Sequence, residues 1–394
     1  MISASDFIPF VLMIHASGGW DTTMVFDNKL DSGYVSQEPG AAAATGAGNI
    51  PYINHPDRPS VKAFFDTYGA NAAIVNGIHA GGIDRAGALK SMMGSVPPVR
   101  TRHTDWLSFY TYSTNPVMNL PHVVIDAPWL PGDYASVAVR LNSAGIGDFT
   151  DAVPVEQSLG AAGETALAAF RKTAYSSFYT AANDKSLDGD KLKALFYSYA
   201  REGALYADIP KALTTIGDTS ADSAFVRKGK LAVELFAQGS SQAVTLQSGP
   251  DNEWDTTTDN FARQSALFEN LFAGINSIIA YASKRSIAGK MIVIVTSERG
   301  RAPLLNAAGG KAAWPFTSVL LWGVAIKGGT VAGLTDATLR GLPIDPIFGG
   351  QTTTNGPLEM GNILSGIYLK TNVPTKILLP DHKPLSPILT ADDL

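Results

Sequence analysis

Six short runs rich in Val, Ile and Leu, spread along a chain of 394 residues, constrain the fold more than any other feature. They are Phe10–His15, Ala72–Gly77, His122–Asp126, Ala243–Gln247, Met291–Thr296 and Ser318–Ile326. Each is apolar at most positions, as in strands covered on both faces. Between them lie stretches with helical spacing. Ser60–Tyr68 follows a proline, and Asp259–Lys284 carries Phe261, Leu267, Leu271, Ile275, Ile279 and Tyr281 as an approximate stripe. Strand alternating with helix predicts an α/β fold, a three-layer α/β/α sandwich on a mostly parallel sheet.

The middle of the chain breaks this rhythm. From about 155 to 239 the pattern reads as three helices, Glu156–Ala182, Asp190–Thr215 with a break at Pro210, and Ala221–Gln238. Turn and cap residues separate them at Leu187–Asp190 and Gly217–Ser220. This segment is expected to be a helical insertion (155–239) within one domain spanning 1–394. Near the end, a Gly/Thr/Pro-rich loop, Leu342–Pro357, precedes a helix from Leu358 to about Lys370.

Charge narrows the function classes. A net charge of −5 and the absence of any Lys/Arg-rich run argue against a nucleic-acid groove. Charged residues make up 16% of the chain, below the usual value of about 25%. With no cysteine, disulfides, thiolate metal sites and cysteine nucleophiles are excluded. No run approaches the ~20 apolar residues of a membrane helix. The first lysine is Lys29, and the apolar stretch Phe7–Ile14 is short for a signal-peptide core, so no leader is expected in the sequence as it stands.

The tetrapeptide Trp-Asp-Thr-Thr occurs twice, at Trp20–Thr23 and Trp254–Thr257, each time just after a strand-like run. In α/β sheets, ligand-binding groups gather at the carboxyl ends of strands. Asp21 and Asp255 are therefore candidates for one shared site, with Glu298 after the run Met291–Thr296 as a third carboxylate. Such carboxylates suit a divalent cation (zinc, manganese or calcium), with His79 or His15 as nitrogen donors. The plainer alternative is that Asp21, Asp255 or Asp259 caps a helix and that Glu298 pairs with Arg299 or Arg301. His15, inside an apolar run, reads as a hydrogen-bonded core residue. Gly309-Gly310-Lys311 lacks the spacing of a phosphate loop and is followed by Ala312 instead of Ser or Thr.

Taken in order, several segments resemble the motifs of one bacterial family, domain of unknown function 1501, which is similar to the sulfatase and alkaline-phosphatase superfamily. They are Phe10–Asp27, Val75–Ile78, Trp254–Asn260, Ser297–Pro303 and Gly310–Ser318. The resemblance implies an alkaline-phosphatase-like α/β/α fold, export or a periplasmic location, and metal-dependent ester hydrolysis as the ancestral chemistry. It also shows departures. Thr257 stands where the family pattern places a His, Ala312-Ala313 replaces an Asp-His before Trp314-Pro315, Arg85 stands where relatives tend to carry a His, and Arg299 replaces a Phe.

Three imidazole ligands missing together imply a member that has given up its metal, with Arg85, Arg299 and Arg301 neutralising the remaining carboxylates or binding an anionic ligand. On this reading no cofactor is expected, and the chain is a binding or structural protein for an unidentified partner. The alternative is a phosphate- or sulfate-ester hydrolase, in which Asp21, Asp255 and Glu298 hold one metal, Thr22 or Ser17 attacks, and Arg301 steadies the anion. A third reading is a glycan or anionic small-molecule binder using the faces of Trp20, Trp254 and Trp314.

Overall fold

The computed structural model describes residues 8–93, 104–114, 118–130, 132–143, 207–371 and 381–390, together with Thr173, Leu205, Val373 and Leu379. Eight strands form one sheet: β1 (Phe10–His15), β4 (Ala72–His79), β5 (His122–Ile125), β6 (Ala138–Leu141), β7 (Ala243–Gln247), β8 (Met291–Thr296), β11 (Phe316–Gly323) and β12 (Thr330–Ala332). Their order is β12-β4-β11-β8-β1-β7-β5-β6. Every pairing is parallel except those of β11, which runs antiparallel to both β4 and β8. Two small ribbons lie outside it, β2 (Ala42–Thr45) with β3 (Pro51–Asn54) and β9 (Gly300–Arg301) with β10 (Ala313–Trp314).

Alternate side chains of each strand supply opposite cores. On one face Leu12, Ile14, Ile74, Val293, Val295 and Leu320 pack with α1 (Pro59–Tyr68), α4 (Ala224–Ala237) and α5 (Asn260–Lys284). On the other, Val11, Met13, Val75, Ile292, Ile294 and Leu321 meet α2 (Arg85–Met92), α3 (Trp106–Thr114) and α6 (Met360–Lys370). The result is the expected three-layer α/β/α sandwich, and its two-sided burial explains why the strand runs are continuously apolar. Among the described residues, no helix is long and apolar enough to cross a membrane.

All six runs enter the sheet, with instructive differences at their ends. β4 continues past Gly77, whose φ of 70° sits beside a register shift against β11 between Thr317 and Val319. A glycine that looks like a strand end thus accommodates a bulge. β11 starts two residues earlier than Ser318 and ends at Gly323 (φ 119°), so Ile326 lies in the following turn. Helix α1 begins at Pro59, a residue suited to the first helical position. Asp259 does precede α5, but at φ 49° its side chain makes no capping bond, which corrects the helix-cap reading. Within 155–239, α4 is capped by Ser223 Oγ and residues 207–216 are helical with Pro210 inside them. The rest of Glu156–Ala182 and Asp190–Thr215 lies outside the described residues.

Candidate functional site

The central strand β1 lies between β7 and β8, and the segments that follow these three strands converge at the carboxyl edge of the sheet. Gly18 and Gly19, at φ 123° and 106°, turn the chain sharply after β1. A Cβ on Gly18 would stand 2.6 Å from the Asp255 nitrogen, so the two Trp-Asp-Thr-Thr segments approach as closely as backbone allows. Each glycine points its carbonyl at a guanidinium. Arg299 Nε donates to Gly18 O at 3.0 Å, and Arg301 donates to Gly19 O at 2.7 Å and also to Gly18 O.

The first two turns of α5 tie the two copies together. Gln264 accepts from the Asp21 N–H at 2.9 Å and donates to Gly19 O, Trp254 O and Thr256 Oγ1. One turn earlier, Asn260 donates to Asp21 Oδ2 at 2.8 Å and accepts from Thr256 Oγ1 at 2.6 Å. These two residues sit four apart on one helical face. Beneath them Trp20, Trp254, Phe26 and Phe268 form an aromatic cluster, with Trp254 and Phe268 centroids 4.9 Å apart.

The Asp21 carboxylate is fully buried. Oδ1 accepts from the Thr23 hydroxyl at 2.7 Å and the Thr23 N–H, capping a short turn of 3-10 helix. Oδ2 lies 2.7 Å from Lys311 Nζ, and both side chains are completely inaccessible. Asp21 is thus both cap and ion-pair partner. The Lys311 ammonium also stands over the Phe261 ring, 5.4 Å from its centroid.

Asp255, the equivalent residue of the second copy, pairs with Arg301 NH1 at 2.6 Å and Arg299 NH2 at 3.5 Å. Burial lowers the Arg301 pKa against the pull of Asp255. Of the three candidate arginines, Glu298 takes Arg85 and not Arg299 or Arg301. Its oxygens accept from Gly18 N–H at 2.9 and 3.0 Å, and they lie 3.3 Å from Arg85 Nε and 3.4 Å from His15 Nε2. Burial pushes this carboxyl up, but the His15 imidazole and the Gly18 N–H outweigh it and hold the pKa down to about 2. His15 Nε2 thus faces the site, and among the described residues neither of its ring nitrogens completes a hydrogen bond.

At the mouth, Arg85 NH2 donates to Ser17 Oγ at 2.9 Å and pairs with Asp251, a carboxylate the sequence reading had not singled out. Ser17 donates to Asp251 at 2.8 Å and accepts from the Asn252 N–H at 3.0 Å. The Arg85 hydrogen bond is the main cause lowering the Asp251 pKa. Asp84 caps α2 through the Gly87 N–H. The Thr22 side chain is buried and has no hydrogen-bond partner among the described residues. His79 lies on another part of the edge, against the Phe316 ring.

The structure thus brings Asp21, Asp255, Glu298, Arg85, Arg299 and Arg301 into one network, and adds Lys311, Asp251, Asn260 and Gln264. Among the described residues, no group of three or more His, Asp or Glu is arranged to hold a metal ion. Trp20 and Trp254 are 0% and 1% exposed, which removes them as stacking faces for a glycan. Trp314 is partly buried, and its indole donates to Leu339 O at 2.9 Å.

The architecture defines an α/β/α protein with an ion-paired polar cluster at the carboxyl edge of its sheet. The chain belongs to the family described as "Protein of unknown function (DUF1501)", whose model matches residues 109–344. No functionally curated protein matches it in sequence. Solved structures resemble it at low identity. Ps i-CgsB is 8% identical with a TM-score of 0.45, over 96% of this chain and 76% of that one. The PsFucS1 sulfatase from Pseudoalteromonas sp. is 10% identical with a TM-score of 0.37, over 98% and 73%. The alkaline phosphatase from the Antarctic bacterium TAB5 is 9% identical with a TM-score of 0.34, over 82% and 94%.

Proposed function

We propose that this chain is a catalytically degenerate member of its family, a binding or structural protein in which side-chain cations have replaced metal ions. The observation that carries this reading is the Lys311 ammonium, 2.7 Å from Asp21 Oδ2 with both groups buried. A dication on Asp21 would have to displace that ammonium, leaving it buried without its counter-ion, or sit beside it as a like charge. The same argument extends to Asp255 with Arg301 and Arg299, and to Glu298 with Arg85. As they stand, Asp21, Asp255 and Glu298 do not fit a metal ion.

A second reading, binding of an anionic ligand, is favoured by Arg85. Its side chain is 33% exposed, and its partner Asp251 is 64% exposed. An oxyanion could exchange with Asp251 there, beside Ser17 Oγ and the Asn252 N–H. A panel of phosphate and sulfate monoesters, assayed with zinc, manganese and calcium over a range of pH, tests the main proposal. No turnover above background is expected. Metal-dependent turnover that Asp21→Asn abolishes would restore the hydrolase alternative.

A further inference from the structure

The loop after β7 has a second face. Asp251 and Asp255 turn from it towards Arg85 and Arg301, while Glu253 and Trp254 line a cavity of about 490 Å³ behind the ion-paired cluster. That volume lies in the range of small-ligand sites. The remaining walls are the start of α4 and the middle of α5, with Phe225, Leu267 and Leu271 supplying apolar surface.

The two helices are locked together at the cavity. A Cβ on Gly274 would stand 2.3 Å from the Phe225 ring, and one on Gly229 would stand 2.2 Å from Ile278 Cδ1. The helices therefore pack closely here, with little room for a side chain at either glycine.

Glu253 is the chemical anomaly of this space. Its side chain is partly buried, and among the described residues its carboxylate accepts no hydrogen bond and forms no ion pair. The other acid on the wall, Asp222, is already paired with Lys230 Nζ at 2.6 Å. The Trp254 indole N–H is likewise buried without an acceptor. Burial pushes the Glu253 carboxyl up, opposed only by the charge of Arg263. A lone carboxylate in a part-apolar cavity carries a desolvation cost that a cationic ligand removes.

We propose that this cavity binds a small organic cation, an ammonium or guanidinium on an apolar or aromatic body, with Glu253 as its counter-ion. The apolar surface of Phe225, Leu267 and Leu271 takes the body of the ligand. This site is independent of whether the cluster in front of it ever holds a metal.

Calorimetric titration of the full chain with benzylammonium tests the proposal, with benzyl alcohol and benzoate as neutral and anionic counterparts of the same shape. Saturable one-site binding of benzylammonium is expected, with the other two weaker by about tenfold or more. Glu253→Gln should weaken benzylammonium by a similar factor, leave benzyl alcohol unchanged and preserve the thermal unfolding profile. Ala273→Phe, which fills the cavity from α5 and keeps Glu253, should abolish binding of all three. Equal affinity for benzylammonium and benzyl alcohol, an unaltered Glu253→Gln isotherm, or no saturable binding of the cation would overturn the assignment.

Discussion

Lys311 holds its ammonium 2.7 Å from the Asp21 carboxylate in a site where both side chains are closed to solvent. The pair fixes the first Trp-Asp-Thr-Thr segment to the strand–loop unit that carries β9 and β10.

Removing one partner should therefore be severe. Lys311→Met leaves Asp21 buried and uncompensated, with an expected loss of about 3–5 kcal/mol. The double variant Asp21→Asn, Lys311→Met should recover most of it, since no unpaired charge is left. Denaturant unfolding of both single variants and the double one measures the coupling. Additive losses would mean that the two groups do not act as a pair.

The arginines should separate by burial. Arg301 is 1% exposed and uses its fork on Gly18 O, Gly19 O and Asp255, whereas Arg85 is one-third exposed at the mouth. Lysine keeps the charge but cannot reproduce the fork. Arg301→Lys should cost about 2–4 kcal/mol, and Arg85→Lys about 1 kcal/mol or less. Unfolding midpoints compared under one condition give the ranking, and equal losses would contradict it.

A second buried network sets the acid response. Ser108 Oγ lies 2.9 Å from Asp105 and 3.1 Å from His122 Nδ1, while His122 Nε2 meets Thr245 Oγ1 at 3.0 Å. Burial raises the Asp105 pKa from 3.8 to about 6 and lowers that of His122 from 6.5 to about 3. His122 stays neutral in the fold, so it contributes stability that is lost as pH falls from 6.5 towards about 3. Asp105 works in the opposite sense. The folded state keeps its proton between pH 3.8 and about 6, so stability falls as pH rises through that window. Glu298, held down to about 2 from 4.5, adds stability that is lost as pH falls from 4.5 towards about 2. Asp105→Asn removes the one group of the three that favours acid. Its stability should fall more steeply than that of the parent chain between pH 6 and 4, followed by urea unfolding across this range. Parallel profiles would refute the assignment.

Much of the fold was legible because two-sided burial writes itself into sequence as continuous apolar runs. The edge strands β6 and β12 escaped notice because they are short and open on one side, so Ala138–Leu141 and Thr330–Ala332 carry little such signal. At the site, Asp21, Asp255, Glu298 and the three arginines could be found from their places after strands. Their pairing could not, since it depends on which side chains the loops bring together, across 46 residues for Asp255 with Arg301 and 213 for Arg85 with Glu298. Lys311 was passed over because it was tested only as part of a phosphate loop. Asn260 and Gln264 had a readable signal: two polar residues four apart on the otherwise apolar face of α5.

The most direct test of the central claim is elemental analysis of the full-length protein after incubation with excess zinc, manganese and calcium and removal of free ions. Far less than one bound ion per chain is predicted, for the native sequence and for Asp21→Asn alike. One tightly bound ion per chain, lost in Asp21→Asn, would contradict the account.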